Sequence, residues 1–153
     1  MEGQHLEDFA PGQVFRSGTL AVTAEAIIAY AQEYDPQPFH LDDAAARGTL
    51  FGGLAASGWH TASLTMKLLV GSDFRPAGGI IGGGMEELAW PRPVRPGDLL
   101  RVEIEVLEVR PSRSRPQQGM LRVRCTTFNQ NDEPVQVILP QIVVPRRPAE
   151  PTG

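Results

Sequence analysis

Hydrophobic and polar residues alternate most regularly between Leu99 and Arg110, where Val102, Ile104 and Val106 are separated by Glu103 and Glu105. A period of two sends successive side chains to opposite faces, so this segment is predicted as a strand with one buried and one solvated face. After Val106 the alternation slips by one residue before Val109, the pattern a β-bulge leaves. Met120 to Phe128 and Val135 to Val144 are predicted as further strands, bounded by the turn-rich stretches Pro111 to Gln118 and Asn129-Gln130-Asn131-Asp132. Pro140 inside the last strand implies an edge position or a bulge, because it cannot donate to the ladder. Residues 13 to 22, with Val14, Phe15, Leu20 and Val22, and residues Met85 to Trp90 complete the strand set, while the Pro- and Gly-rich stretch 76 to 84 is expected to be a connection.

Two segments carry helical spacing instead. Thr23 reads as an N-cap, followed by Ala24, Ala26, Ile27, Ile28, Tyr30 and Ala31, and Pro36 stops any helix by residue 34. From about Gly58 to about Val70 the chain is mostly apolar and lacks a carboxylate, with Ser57 as its cap and Gly71 at its end. This segment is expected to be a central, largely buried helix. Asp42 or Asp43 can cap a short turn through Ala44-Ala45-Ala46-Arg47, and Gly52-Gly53 marks a sharp change of direction. One buried helix followed by consecutive antiparallel strands describes an α+β layer in which a curved sheet wraps the helix. Such a layer leaves a sheet edge open, so pairing of two subunits into a longer sheet follows from edge management.

Between the two helices lies Tyr34-Asp35-Pro36-Gln37-Pro38-Phe39-His40-Leu41-Asp42, where a carboxylate and an imidazole stand five residues apart on a segment expected to be an extended or turning loop. Pro36 and Pro38 fix their own φ and push Asp35 and Gln37 out of the α region. A loop stiffened in this way holds an acid or base in place at low entropic cost. Asp35 alone reads as a turn-former and His40 alone as a hydrogen-bonded loop residue; their spacing, with a glycine-initiated helix downstream, favours chemistry.

At 153 residues the chain, 1-153, is read as one domain, with a flexible tail over about 145-153. The net charge of −4 gives no encouragement to nucleic acid or an anionic membrane surface. Lys67 is the one lysine among 14 basic residues, and an arginine excess suits phosphate or carboxylate capture, although solvated surface accounts for most of it. Cys125 is the single cysteine, which excludes an internal disulfide and a thiolate zinc cluster and fits a reducing compartment. The acidic N-terminus does not read as a secretory signal, and no apolar run approaches the roughly 18 residues of a membrane span, so a cytoplasmic location is expected.

The Asp35, Pro38, His40 spacing, the helix opening Ser57-Gly58-Trp59-His60-Thr61-Ala62-Ser63-Leu64 and the stretch Trp90-Pro91-Arg92-Pro93-Val94-Arg95-Pro96-Gly97-Asp98 together resemble the MaoC-like enoyl-CoA hydratases of the hot-dog fold, which include the (R)-specific hydratases. The resemblance covers nearly the whole chain. It implies a curved antiparallel sheet wrapped around a long central helix, a homodimer or dimer-based oligomer, and an acyl-CoA substrate with no metal or redox cofactor. It also implies that Asp35 and His40 together activate water and return a proton to the α-carbon, while the backbone N–H of Gly58 stabilises the thioester oxyanion. Gln37 stands where the family usually has Asn, Phe39 where it has a smaller aliphatic residue, Ser57 where the (R)-hydratases commonly have His, and Met66 where some members have Ser. These departures bear on substrate choice more than on reaction type.

Other readings are weaker on the residues themselves. Ser57 is favoured as an N-cap over a nucleophile because no acid-base partner adjoins it in sequence. His60 reads as a packed or interface histidine, and the glycines at 78, 79, 82, 83 and 84 lack the Lys-Ser/Thr of a phosphate loop. An acyl-CoA thioesterase would need a carboxylate on or near the central helix, and a non-catalytic acyl-CoA-binding module would need neither Asp35 nor His40.

Overall fold

The structure, a computed structural model, describes residues 2–149. Five strands, β1 (Val14–Ala21), β2 (Ile81–Ala89), β3 (Leu99–Pro111), β4 (Gln118–Phe128) and β5 (Pro134–Pro145), form one antiparallel sheet in the order β1-β3-β4-β5-β2. Among the described residues four α-helices accompany it, α1 (Ala24–Tyr34), α2 (Pro38–Leu41), α3 (Asp43–Ala46) and α4 (Gly58–Val70), with one 3-10 turn at Leu6–Asp8. This is the α+β hot-dog arrangement expected from the sequence, with α4 packed against β1 and β3.

The alternation in β3 becomes the core. Leu100, Val102, Ile104 and Val106 are buried against Leu121, Val123 and Cys125 of β4 and Ile142 and Val144 of β5, while Glu103 and Glu105 stay on the wetter face. Each such aliphatic side chain stabilises the fold by about 1.5–3 kcal/mol through burial alone. The slip after Val106 is a register shift in the β3–β4 ladder between Val106 and Glu108. Leu6 and Phe9 of the N-terminal arm also enter the core, and Phe9, Phe15 and Phe74 meet with ring centroids 5.5–5.9 Å apart.

Three expectations need correction, and the alternatives offered for Pro140 are resolved. The glycine run is not wholly a connection, because β2 begins at Ile81 and Ile81 pairs with Val143. Glycine carries no periodicity signal, so the open edge of β5 decides the conformation there. Pro140 sits on β5 between β4 and β2, away from an edge, and its neighbourhood matches the bulge alternative through a register shift between Met85 and Leu88 on β2. The helix α4 has only one buried stripe, through Thr61, Thr65, Leu68 and Leu69; Trp59, Met66 and Val70 are 57%, 47% and 60% exposed. Finally, the tail expected from residue 145 begins with tethered residues: the Arg146 amide donates to the Gln117 carbonyl and the Arg147 amide to Glu7. Residues 150–153 of that tail lie outside the described residues.

Candidate active site

Local chain logic brings three separate segments together. The Thr23 hydroxyl accepts from the Ala26 amide to start α1, and the helix stops at Tyr34 before Pro36. Asp35 and Gln37 are non-helical, as residues before proline must be, but Pro38–Leu41 is a single helical turn rather than a loop. Pro38 occupies its first position, where the missing N–H costs nothing and the fixed φ already suits a helix. That turn rotates His40 inward, so the imidazole is buried while Phe39 remains half-buried. Asp42 then caps α3 by accepting from the Ala44 amide.

His40 Nε2 stands 3.4 Å from Asp35 Oδ2. The opposite ring nitrogen, Nδ1, lies 2.6 Å from the Ala55 carbonyl oxygen. A carbonyl only accepts, so Nδ1 carries a proton and donates to it, which leaves Nε2 as the ring atom that faces the carboxylate. The Ala55 amide donates to the Phe39 carbonyl and the Ala56 amide to the Val94 carbonyl. Ala55 and Ala56 therefore tie the helical turn bearing His40 to Val94.

Both oxygens of Asp35 are engaged. Gln37 Nε2 donates to Oδ1 at 2.6 Å and the Ser57 hydroxyl donates to Oδ2 at 2.7 Å. Burial acts to raise the carboxyl pKa, but the hydrogen bonds from Ser57 and Gln37 and the neighbouring His40 outweigh it, and the group sits below its ordinary value. Asp35 is accordingly ionised at neutral pH.

Ser57 also accepts from the Trp59 amide, confirming it as the cap of α4. Gly58 is the first helical residue, a position whose N–H has no intrahelical acceptor and lies at the positive end of the helix dipole. A side chain at 58 has no room: a Cβ there would lie 2.6 Å from Trp90 Cε2. Asp35, His40, Gly58, Phe51, Trp59 and Trp90 line one open cleft of about 470 Å³, roofed by Pro91, Arg92, Pro93 and Val94.

The sequence-predicted residues Asp35, His40 and Gly58 thus share a cleft. His60 does not join them. It is buried beside α1, stacked on Tyr30 with centroids 4.7 Å apart, and its Nδ1 has no hydrogen-bond partner among the described residues. Several contributors were not singled out from sequence for their part in the site. Gln37 and Ser57 hold the carboxylate. Arg95 donates to the carbonyls of Gly53 and Leu54 at 2.8 and 3.3 Å and to that of Phe51, while Asp43 accepts from the Leu54 amide, so both pin the loop before Ala55. Their only sequence signal is position: Arg95 lies in the turn leading into β3 and Ser57 immediately before the helix glycine.

The family model described as "MaoC like domain" matches residues 8–127. A solved structure described as the MaoC-like dehydratase from Rhodospirillum rubrum is 55% identical, with a TM-score of 0.93, covering 96% of this chain and 100% of that one. The R-hydratase PhaJ1 from Pseudomonas aeruginosa, in its unliganded form, is 26% identical with a TM-score of 0.70, over 97% of this chain and 94% of that one. Among curated proteins, the uncharacterized protein YdeM of Bacillus subtilis (strain 168) is 35% identical over 127 residues, 83% of this chain and 89% of that protein.

Proposed function

Since the chain belongs to the MaoC-like domain family, we propose that it is a hydro-lyase that adds water reversibly to a trans-2-enoyl-CoA, giving the (R)-3-hydroxyacyl-CoA, with Asp35, His40 and Gly58 as its catalytic groups. Family membership and the likeness to R-hydratase PhaJ1 support hydratase or dehydratase chemistry in general, and the latter supports the (R) outcome. The observation that carries the finer reading is the 3.4 Å approach of His40 Nε2 to Asp35 Oδ2 inside a cleft that Gly58 also lines.

In this mechanism one water contacts both groups. As its oxygen bonds to the β-carbon, Nε2 takes one of its protons, and the displaced π pair becomes an enolate with negative charge on the thioester oxygen. The Gly58 N–H donates to that oxygen, a contact of the kind whose loss costs about two to three orders of magnitude in rate. The proton on Nε2 then passes to the α-carbon on the same face, which restores the neutral ring. Asp35 stays ionised throughout, orienting the water and stabilising the transient imidazolium. Atoms and charge balance with the CoA thioester as substrate and no further reactant.

Partner and setting belong to the same proposal. The exposed apolar side chains Trp59 and Met66 of α4 line an apolar cleft with Met85 of the edge strand β2, a surface that suits a second copy of the chain. No helix among the described residues is long and apolar enough to cross a membrane, in keeping with a cytoplasmic enzyme.

Loss of enoyl absorbance with crotonyl-CoA and longer enoyl-CoAs, with chiral analysis of the product, tests the reading. Asp35→Asn and His40→Ala should each lower kcat by about 10²–10⁴-fold. Undiminished hydration in both variants, or release of free thiol in place of hydration, ends it.

A further inference from the structure

The proposed oxyanion donor is a glycine amide, and glycine has the least restricted backbone of any residue. Something must hold it. The benzenoid part of the Trp90 indole lies against the Gly58 α-carbon, so that a Cβ at 58 would fall 2.6–2.8 Å from Trp90 Cε2, Cζ2 and Cδ2. The indole is fixed in turn, because its Nε1–H donates to Gln136 Oε1 at 2.8 Å.

Gln136 is a fully buried polar side chain on β5, and both ends of its amide are engaged. Its Nε2 donates to Thr65 Oγ1 at 3.0 Å, and Thr65 Oγ1 lies 2.7 Å from Thr127 Oγ1 on β4. Thr65 and Thr127 are buried as well. A buried polar line with every member paired specifies a single arrangement, because any rotation leaves a group unpaired in a low-dielectric interior. Thr65 stands on α4 seven residues after Gly58, close to two turns along the same face. The connection leaves α4, crosses β5 and returns through Trp90 to the first residue of α4.

We infer that Trp90 is a positioning residue for the Gly58 amide, keyed in place by Gln136, Thr65 and Thr127. The mechanical part of this inference, that the indole fixes the Gly58 backbone, stands on the contacts alone; its effect on turnover rests on the hydratase reading above. It also explains why position 58 must be glycine here: the indole occupies the volume of a side chain.

The test uses the full-length protein as wild type, Trp90→Ala, Trp90→Phe and Gln136→Leu, read by ¹⁵N relaxation of the Gly58 amide and by steady-state hydration of crotonyl-CoA. In the wild type the Gly58 order parameter should sit in the rigid range, about 0.85, and should fall clearly in Trp90→Ala and Gln136→Leu. In the same two variants kcat should drop by about 10- to 100-fold with KM changed less than about threefold, because a displaced donor loses transition-state and not ground-state binding. Trp90→Phe, which keeps a ring over Gly58, should recover most of both readouts. An unchanged Gly58 amide in Trp90→Ala and Gln136→Leu overturns the inference. So does a rise in KM at constant kcat, which would make Trp90 merely a substrate wall. If the wild type hydrates no enoyl thioester, the hydratase reading falls and the relaxation measurement decides the inference by itself.

Discussion

The Ser57 hydroxyl donates to Asp35 Oδ2 at 2.7 Å while its oxygen accepts from the Trp59 amide at 3.3 Å, which makes the cap of α4 and the candidate acid-base carboxylate one hydrogen-bonded unit. Removing the hydroxyl breaks both contacts. Ser57→Ala should destabilise the fold by about 1–2 kcal/mol in urea titrations, as loss of an N-cap does. Because that hydrogen bond lowers the Asp35 pKa, the acidic limb of the rate profile should also move to higher pH. A variant with unaltered stability and an unaltered acidic limb would show that the two contacts are independent of function.

Asp35 predicts a specific acid sensitivity. Its carboxyl pKa is depressed in the folded chain, so its contribution to stability is complete above the unfolded value of about 3.9 and is lost as pH falls through the lower folded value. The wild type should therefore lose stability as pH falls below about 4 more steeply than Asp35→Asn, whose side chain does not titrate. Parallel curves of unfolding free energy against pH for the two proteins would contradict the assignment.

His60 has the opposite logic at milder pH. Burial between α1 and α4 disfavours its charged form and lowers its pKa. The unfolded chain then binds a proton more readily than the folded one, so stability falls as pH drops below about 6.5. His60→Phe keeps a ring to stack on Tyr30 and should flatten the fall in melting temperature below about pH 6.5. An equally steep decline in that variant would place the titrating group elsewhere.

How much of this was legible in the chain depends on whether a side chain carried the signal. Thr23 and Pro36 bracket α1, and the Val102-Ile104-Val106 alternation with its slip locates β3 and its bulge, because burial and capping act directly on residue type. The Asp35 and His40 spacing was readable, as was the glycine opening α4. The helical turn at Pro38 was not, since a proline that breaks a helix from within also starts one. The glycine run of β2 was silent because pairing with β5, and nothing in its own residues, makes it a strand. Gln136 and Trp90 are 46 residues apart, and no local pattern announces a hydrogen bond between them.

Arg95 makes a prediction about the loop that precedes Ala55. Its guanidinium donates to three carbonyls, those of Phe51, Gly53 and Leu54, and lysine cannot reproduce that planar fork. Arg95→Lys should lower stability by about 2 kcal/mol, the scale of a charge-assisted hydrogen bond lost in part-buried surroundings. Amide exchange should quicken from Leu54 to Ala56 while β3 and β4 stay protected. Uniform loss of protection, or none, would argue that the loop is held by other means.

The cleft draws its acid-base groups from residues 35–58 and its roof from residues 90–94, two stretches that the sequence keeps more than thirty positions apart. The first stretch uses turns and caps together with the long-range bonds from Arg95 and to Val94, whereas Trp90 is set against Gly58 at the end of β2, which pairs with β5. Neither stretch encloses the cleft alone, because Asp35, His40 and Gly58 form one wall and Trp90 to Val94 the other. The cleft in this molecule is thus a property of the assembled sheet as much as of the helical segments, and a lesion in the β2–β5 ladder would open it from a distance.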